Sequence, residues 1–452
     1  MSPPGRPKGE FRSAQHEGHP MSPPGRPKGE FRSAHHEGHP MSTAASLIDP
    51  RVHDAHAMRH AGADLLGLAL MDARNRTLGW LAAFDGLPLA RAFDDFDPPA
   101  WLAGQAAWQQ EYWIARHLQR QRGAAADPTG LRLASVEPRA DGWFDPHACT
   151  RAQRWLQPGP SAAELRQYLG DTLELSLDLL GKAGDDDDAL HVFRQALWCE
   201  DRIGESLAVL VQVLDLGPAR CQPLIASGLW PGLPSRGRRD ALWLPGQRGV
   251  LGSPPGGFVP EAEQGAHTVT VEAFEIDAQP VTWSQFAEFV DDGGYDDRRW
   301  WSPAGWDGVE ALSRRAPRYV EQMGSGVLAR RQGRLQRVPG AQAVLHVNVH
   351  EAEAWCCWAG RRLPSEAEWA LAAISAGARG FAWGEVAEWV AGSARAFPGA
   401  PAGAQPAITR PPLRLQRGAS AWGSQRLRHP GARQYLVGSR DDGFVGFRSC
   451  AV

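Results

Sequence analysis

Ala359-Gly360-Arg361-Arg362-Leu363-Pro364-Ser365-Glu366-Ala367-Glu368-Trp369 is the stretch on which the reading of this chain turns. Ser365 and Glu368 stand at capping-box spacing, in which a hydroxyl and a carboxylate three residues apart satisfy each other's free backbone N–H groups. The same spacing recurs at Thr282 with Gln285 and at Asn348 with Glu351. Val269–Ile276 alternates as a strand does. Short capped helices, short strands and many turns predict a mixed α+β domain over residues 257–452.

Upstream the texture is different. Apolar residues recur at helical spacing from Asp54 to Ala83 and from Pro98 to Ile114, where Pro98-Pro99 is tolerated in a first turn. A third helix is expected from Ser161, whose capping partner is Glu164, with Leu165, Leu169, Leu173, Leu177 and Leu180 on one face. A fourth covers about Ala189–Leu214. Four such helices predict a bundle over residues 51–216. Asp185–Asp188 reads as a solvated acidic loop, because the rest of a calcium-loop pattern is missing. Residues 217–256 are rich in Pro and Gly and read as a linker. Residues 1–20 and 21–40 are a tandem duplicate differing only at Gln15 and His35. Residues 1–50 lack the apolar periodicity of a core and are expected to be a disordered tail.

Composition narrows the function classes. The chain has 452 residues, too many for one core, so a multidomain protein is expected. A net charge of −3 gives no basic field for nucleic acid. No apolar run is long enough for a bilayer. Six scattered cysteines without a CxxC pair fit a reducing cytoplasm rather than a disulfide scaffold. The 19 tryptophans serve cores, and also suit pockets for flat or cationic ligands.

The C-terminal segments resemble the formylglycine-generating-enzyme (sulfatase-modifying factor) family. The matching pieces come in family order: Gly256-Gly257-Phe258, Pro280-Val281-Thr282-Trp283, Glu351-Ala352-Glu353-Ala354-Trp355-Cys356, the Ala359–Trp369 stretch, Trp383-Gly384, Glu388-Trp389, Arg417-Gly418-Ala419-Ser420 and Gly446-Phe447-Arg448-Ser449-Cys450. The resemblance implies a C-type-lectin-like fold. The two catalytic cysteines of the true enzymes are not evident, and Cys450 is not read as catalytic. The order of bundle then lectin-like domain, from about Arg51 onward, is similar to the iron-dependent sulfoxide synthases of ergothioneine biosynthesis and to selenoneine synthase, which join a DinB-like four-helix bundle to this domain. The run Phe381–Trp389 resembles their compact version. Gly293-Gly294-Tyr295-Asp296 and the ending Arg440-Asp441-Asp442-Gly443-Phe444 lean toward selenoneine synthase.

That resemblance implies an Fe(II)- and O2-dependent oxidoreductase forming a C–S or C–Se bond on hercynine. Its iron is held by one histidine on the second helix and two in an H-x-x-x-H-x-E motif on the fourth. Residues i and i+4 share a helix face, so two imidazoles can take one metal. The frames are present here: Pro98–Trp108, and Phe193–Glu205. The family's histidine positions are occupied by Gln105, Cys199 and Ile203, with Glu205 retained. One thiol, one amide and one alkyl chain do not make an open iron site. Iron is therefore expected not to bind, and the chain is expected to be inactive in the family reaction or repurposed: a pseudoenzyme binding a small molecule or partner, or a metal-independent enzyme using Cys199, Glu200 or Glu205.

Other residues offer no replacement. His53, His56 and His60 near the first helix start read as solvated, His346 and His350 as strand alternation, and Cys356-Cys357 as ordinary helix thiols. A betaine such as hercynine would suit aromatic walls. By the resemblance, Trp198 and Trp422 are candidate walls, and Arg426 and Arg433 candidate carboxylate partners. Trp389 reads as core, and Arg428 and Arg440 as members of a solvated basic run.

Overall fold

The computed structural model describes residues 49–88, 92–324 and 326–452. The tail expected over residues 1–50 lies outside them except for its last two residues. Residues 48–452 form one compact unit.

Its first part is helical: α1 (Ala55–Arg59), α2 (Ala63–Ala82), α3 (Pro99–Gln110), α4 (Ala140–Phe144), α5 (Arg151–Leu156), α6 (Ala162–Leu180), α7 (Asp187–Val213) and α8 (Pro218–Ala226). The first expected helix is split in two. Asp54 accepts from the Ala57 N–H and starts α1, and α2 restarts after Gly62. The Ser161–Glu164 capping box is formed. Asp185–Asp188 is not wholly a loop: Asp186 caps α7, and Asp187 and Asp188 sit in its first turn, where the helix dipole favours negative charge.

Helices α2, α3, α6 and α7 pack around a guanidinium. Arg74 of α2 donates to both carboxylate oxygens of Glu200 on α7, at 2.7 and 3.1 Å. It also donates to Gln110 Oε1 on α3, and to Thr172 Oγ1 and the Leu169 carbonyl on α6. One side chain thus bonds to three other helices with its charge paired, the condition under which a buried ion is tolerated. Leu66, Leu70, Phe193 and Leu197 pack in the adjoining apolar core.

The second part follows without a free linker. Residues 217–256, expected as one, carry α8 and the strands β1 (Leu242–Leu244) and β2 (Gln247–Leu251). These segments are too short for a periodicity signal and are held by partners distant in sequence. β1 pairs with β4 (Phe274–Ile276), and β2 with β3 (His267–Val271). The single strand expected over 269–276 is therefore two. The remaining strands are β5 (Val320–Gln322), β6 (Val327–Arg331), β7 (Arg334–Val338), β8 (Arg361–Arg362), β9 (Ala387–Ser393), β10 (Arg414–Arg417), β11 (Arg433–Leu436), β12 (Val445–Phe447) and β13 (Cys450–Ala451). They build sheets in the orders β1-β4-β13-β8, β11-β10-β9-β12 and β5-β6-β7. Between them lie α9 (Trp283–Asp291), α10 (Pro303–Leu312), α11 (Val349–Trp358) and α12 (Glu366–Ser375).

All three capping boxes expected here are formed, at α9, α11 and α12. In the opening stretch Glu368 does double duty, closing the Ser365 box and pairing with Arg362 at 2.7 Å. Trp369 donates its indole N–H to Glu388, whose carboxylate is in a fully buried pair with Arg448 at 2.6 Å. Trp389 is also buried and donates to the Val347 carbonyl, the core role its motif implied. His346 and His350 are not on a strand. Asn348 caps α11, so the chain turns there, with His346 in the left-handed region at φ 62°.

Arg74→Leu would leave the Glu200 charge buried and unpaired. A loss of about 3–5 kcal/mol is expected, measured as a lower urea midpoint. An unchanged midpoint would show that the pin does not hold the bundle.

A candidate ligand cleft where bundle and sheet meet

The fourth-helix frame turns Phe193, Leu197 and Glu200 into the bundle and Asp201, Arg202 and Glu205 toward the second part. Nearly every polar group on it is engaged. Glu200 is taken by Arg74. Asp201 receives a two-pronged bond from Arg426, with both N–H···O distances 2.7 Å, and Arg426 also reaches Asp72 of α2 at 2.7 Å. Arg202 pairs with Glu205 and donates to Gln434 Oε1 at 2.7 Å. Glu205 accepts from Ser420 Oγ at 2.9 Å. The row reads as a seam of charge-assisted bonds.

The seam is reinforced at its edges. Gly257 N–H donates to Asp187 at 2.8 Å, and Phe258 N–H to the Arg59 carbonyl at 2.8 Å. Gly257 lies at φ 62°, and a Cβ there would come within 2.3 Å of the Arg59 oxygen. Only glycine permits that approach, which explains the Gly256-Gly257-Phe258 motif structurally. The two segments that leaned toward selenoneine synthase also meet. Tyr295 donates to the buried Glu351 at 2.7 Å, Arg314 pairs with Glu351 at 3.2 Å, and the same arginine pairs with Asp441 at 2.5 Å.

Beside the seam is a cleft of about 250 Å³, walled by Phe96, Leu102, Val209 and Phe444 and carrying Arg202, Glu205, Arg440 and Asp442. Opposite charges alternate along it. Arg202 is paired with Glu205 there, and Arg440 with Asp442 at 2.9 Å.

The chain is similar to known proteins along most of its length. Residues 235–423 match the family model of the sulfatase-modifying factor enzyme 1-like domain. The hercynine oxygenase of Mycolicibacterium thermoresistibile is 33% identical over 375 residues, spanning 80% of this chain and 77% of that protein. The chain belongs to the hercynine oxygenase family. The enzyme of that name from Mycobacterium tuberculosis is 32% identical over 80% of this chain and 81% of its own length. A formylglycine-generating enzyme from Streptomyces coelicolor is 33% identical over 36% of this chain.

The iron that the resemblance to this family implies does not fit the residues present. Gln105 is half-buried on α3, which packs on α7; Ile203 is buried in the core and has no donor atom. Cys199 is a thiol whose pKa burial pushes up to about 12, only partly opposed by Arg202, so it is protonated at neutral pH. Among the described residues no three His, Cys, Asp or Glu side chains are grouped to hold a metal.

Of the residues expected to bind substrate, Trp198 and Arg426 line one small pocket with Phe258, while Trp422 and Arg433 lie outside it. Trp198 is half-buried near Phe258, with ring centroids 6.3 Å apart. Trp422 is buried and stacked on Phe444 at 3.9 Å. Arg426 is the seam's cation. Arg433 is buried against Glu366, at 2.9 Å, and against backbone carbonyls. His56 and His60 are exposed, as expected, with rings 5.3 Å apart. Sequence reasoning missed Arg74, Asp72 and Asp201. The available signal was charge on the stripe that the leucines of α2 and α7 define, since charged residues are seldom buried unpaired.

The Cys199 environment predicts reactivity. At pH 8 a thiolate-directed alkylating reagent should label exposed Cys357 well before Cys199. Peptide mapping by mass spectrometry reads the order, and equal labelling would contradict the protonated, enclosed thiol.

Proposed function

We propose that this protein is a member of the hercynine oxygenase family that no longer holds iron and binds a small zwitterion, such as a hercynine-type betaine, in the cleft between bundle and sheet. The observation carrying this reading is the donor set at the family's ligand positions: an amide at Gln105, a protonated thiol at Cys199 and an alkyl chain at Ile203. Imidazole, carboxylate or thiolate donors are what a divalent iron needs in an open site. The helical part is read as DinB-like and the second part as C-type-lectin-like, in a cytoplasmic protein. No helix among the described residues is long and apolar enough to cross a membrane.

The seam weighs against a metal-independent enzyme built on Glu200 or Glu205, since both carboxylates already accept bonds from within the protein. Sequence identity to hercynine oxygenases favours a second reading, in which the family reaction persists on hercynine with a sulfur or selenium donor. The two readings part at iron.

Anaerobic loading with Fe(II) followed by desalting should leave no stoichiometric metal by elemental analysis. One tightly held iron per chain would overturn the proposal, as would hercynine turnover by the unaltered protein. The combined replacement Gln105→His, Cys199→His and Ile203→His should restore one iron per chain, because i and i+4 imidazoles on α7 share a face. If it binds none, the scaffold has changed beyond its ligands.

A further inference from the structure

A second cavity, of about 220 Å³, lies at the opposite edge of the same boundary, among Gln212 of α7, the end of β6 and the loop before α11. Trp230, Trp422 and Phe444 form one aromatic wall. Trp230 meets the other two edge-on, at 5.9 and 5.8 Å. Three polar atoms of cavity-lining residues are enclosed by protein and bonded to nothing within it: His346 Nδ1, Arg331 Nη2 and Trp422 Nε1. Unsatisfied buried polar atoms are few in a native protein, and each is costly unless something fills it. Here three belong to residues that line one cavity.

Their chemistry specifies what fills it. Arg331 has no carboxylate to offset its burial among the described residues, and burial alone pushes its pKa down to about 10. Its nearest hydrogen-bond partner is Gln342 Oε1, at 3.5 Å. The site therefore has a cation waiting for an anion. His346 is 3% exposed, and burial with the Arg331 charge pushes it down to about 3, so it is neutral. Its Nδ1 bonds to no group of the protein, and a neutral imidazole can offer such a nitrogen as an acceptor for a ligand N–H. His346 also holds a left-handed backbone conformation, at φ 62°, which a non-glycine residue adopts at a cost and which clusters at binding sites.

We infer that this cavity is a binding site for a small planar heteroaromatic carboxylate, with the carboxylate on Arg331, a ring N–H on His346 Nδ1 and the ring against the Trp230–Trp422–Phe444 wall. The site is distinct from the zwitterion cleft: Phe444 borders both, whereas Arg331 and His346 line only this one. It does not depend on whether the chain holds iron.

Indole-3-acetate, its primary amide and 1-methylindole-3-acetate are suitable probes for calorimetry with the full chain. The acid should bind saturably, one per chain. The amide lacks the charge and the methylated acid lacks the N–H, and each should bind roughly tenfold or more weakly. Arg331→Gln should lower the affinity for the acid to that of the amide without lowering the amide's own. If that variant does not fold, the acid-to-amide ratio in the unaltered protein still decides. Equal affinity of acid and amide, or no saturable binding at millimolar concentration, would overturn the inference and leave ordered water as the occupant.

Discussion

The guanidinium of Arg426 is the constraint on which this molecule depends. It comes from the second part of the chain, sits 6% exposed against the bundle and answers Asp201 of α7 and Asp72 of α2. Each carboxylate would be costly to enclose alone, and so would the cation. Together they form a closed set, and closing it fixes the bundle against the sheets. Hydrophobic packing is tolerant of small shifts, whereas a two-pronged Arg–carboxylate bond has one good geometry. Around this point α7 is held by Arg74 from within the bundle, and by Ser420 and Gln434 from outside it.

This arrangement gives the family frame on α7 a structural use. Fewer than two turns of one helix carry Glu200, Asp201, Arg202 and Glu205; the first is paired within the bundle and the other three bond to the second part. Ile203 stands among them with an alkyl chain, and Cys199 beside them with a thiol whose pKa burial raises. The helix itself is held by ion pairs and packing along its length.

The tryptophan content follows the same division. Trp369 and Trp389 are fixed by hydrogen bonds within the second part. Trp198 stands near Phe258, and Trp230 and Trp422 near Phe444, where bundle and second part adjoin. Aromatic side chains bring large contact area at low conformational cost, and their ring N–H groups need partners. Trp369 and Trp389 have such partners, whereas the indole N–H groups of Trp80, Trp101, Trp283 and Trp422 have none within the protein.

The sequence alone determined the starts of four helices, because capping boxes are local: Ser161 with Glu164, Thr282 with Gln285, Asn348 with Glu351 and Ser365 with Glu368 all close as their spacing required. It also determined which donor atoms Gln105, Cys199 and Ile203 carry, since these do not depend on the fold. Tertiary structure decided the rest. β1 and β2 are strands only because β4 and β3 lie beside them. Arg426 looked available as a ligand group and is instead consumed 225 residues away by Asp201. Arg331, unremarkable in sequence, is buried with no acid beside it among the described residues. Whether a charge is paired or free is a property of distance between remote residues, and spacing along the chain carries no information about it.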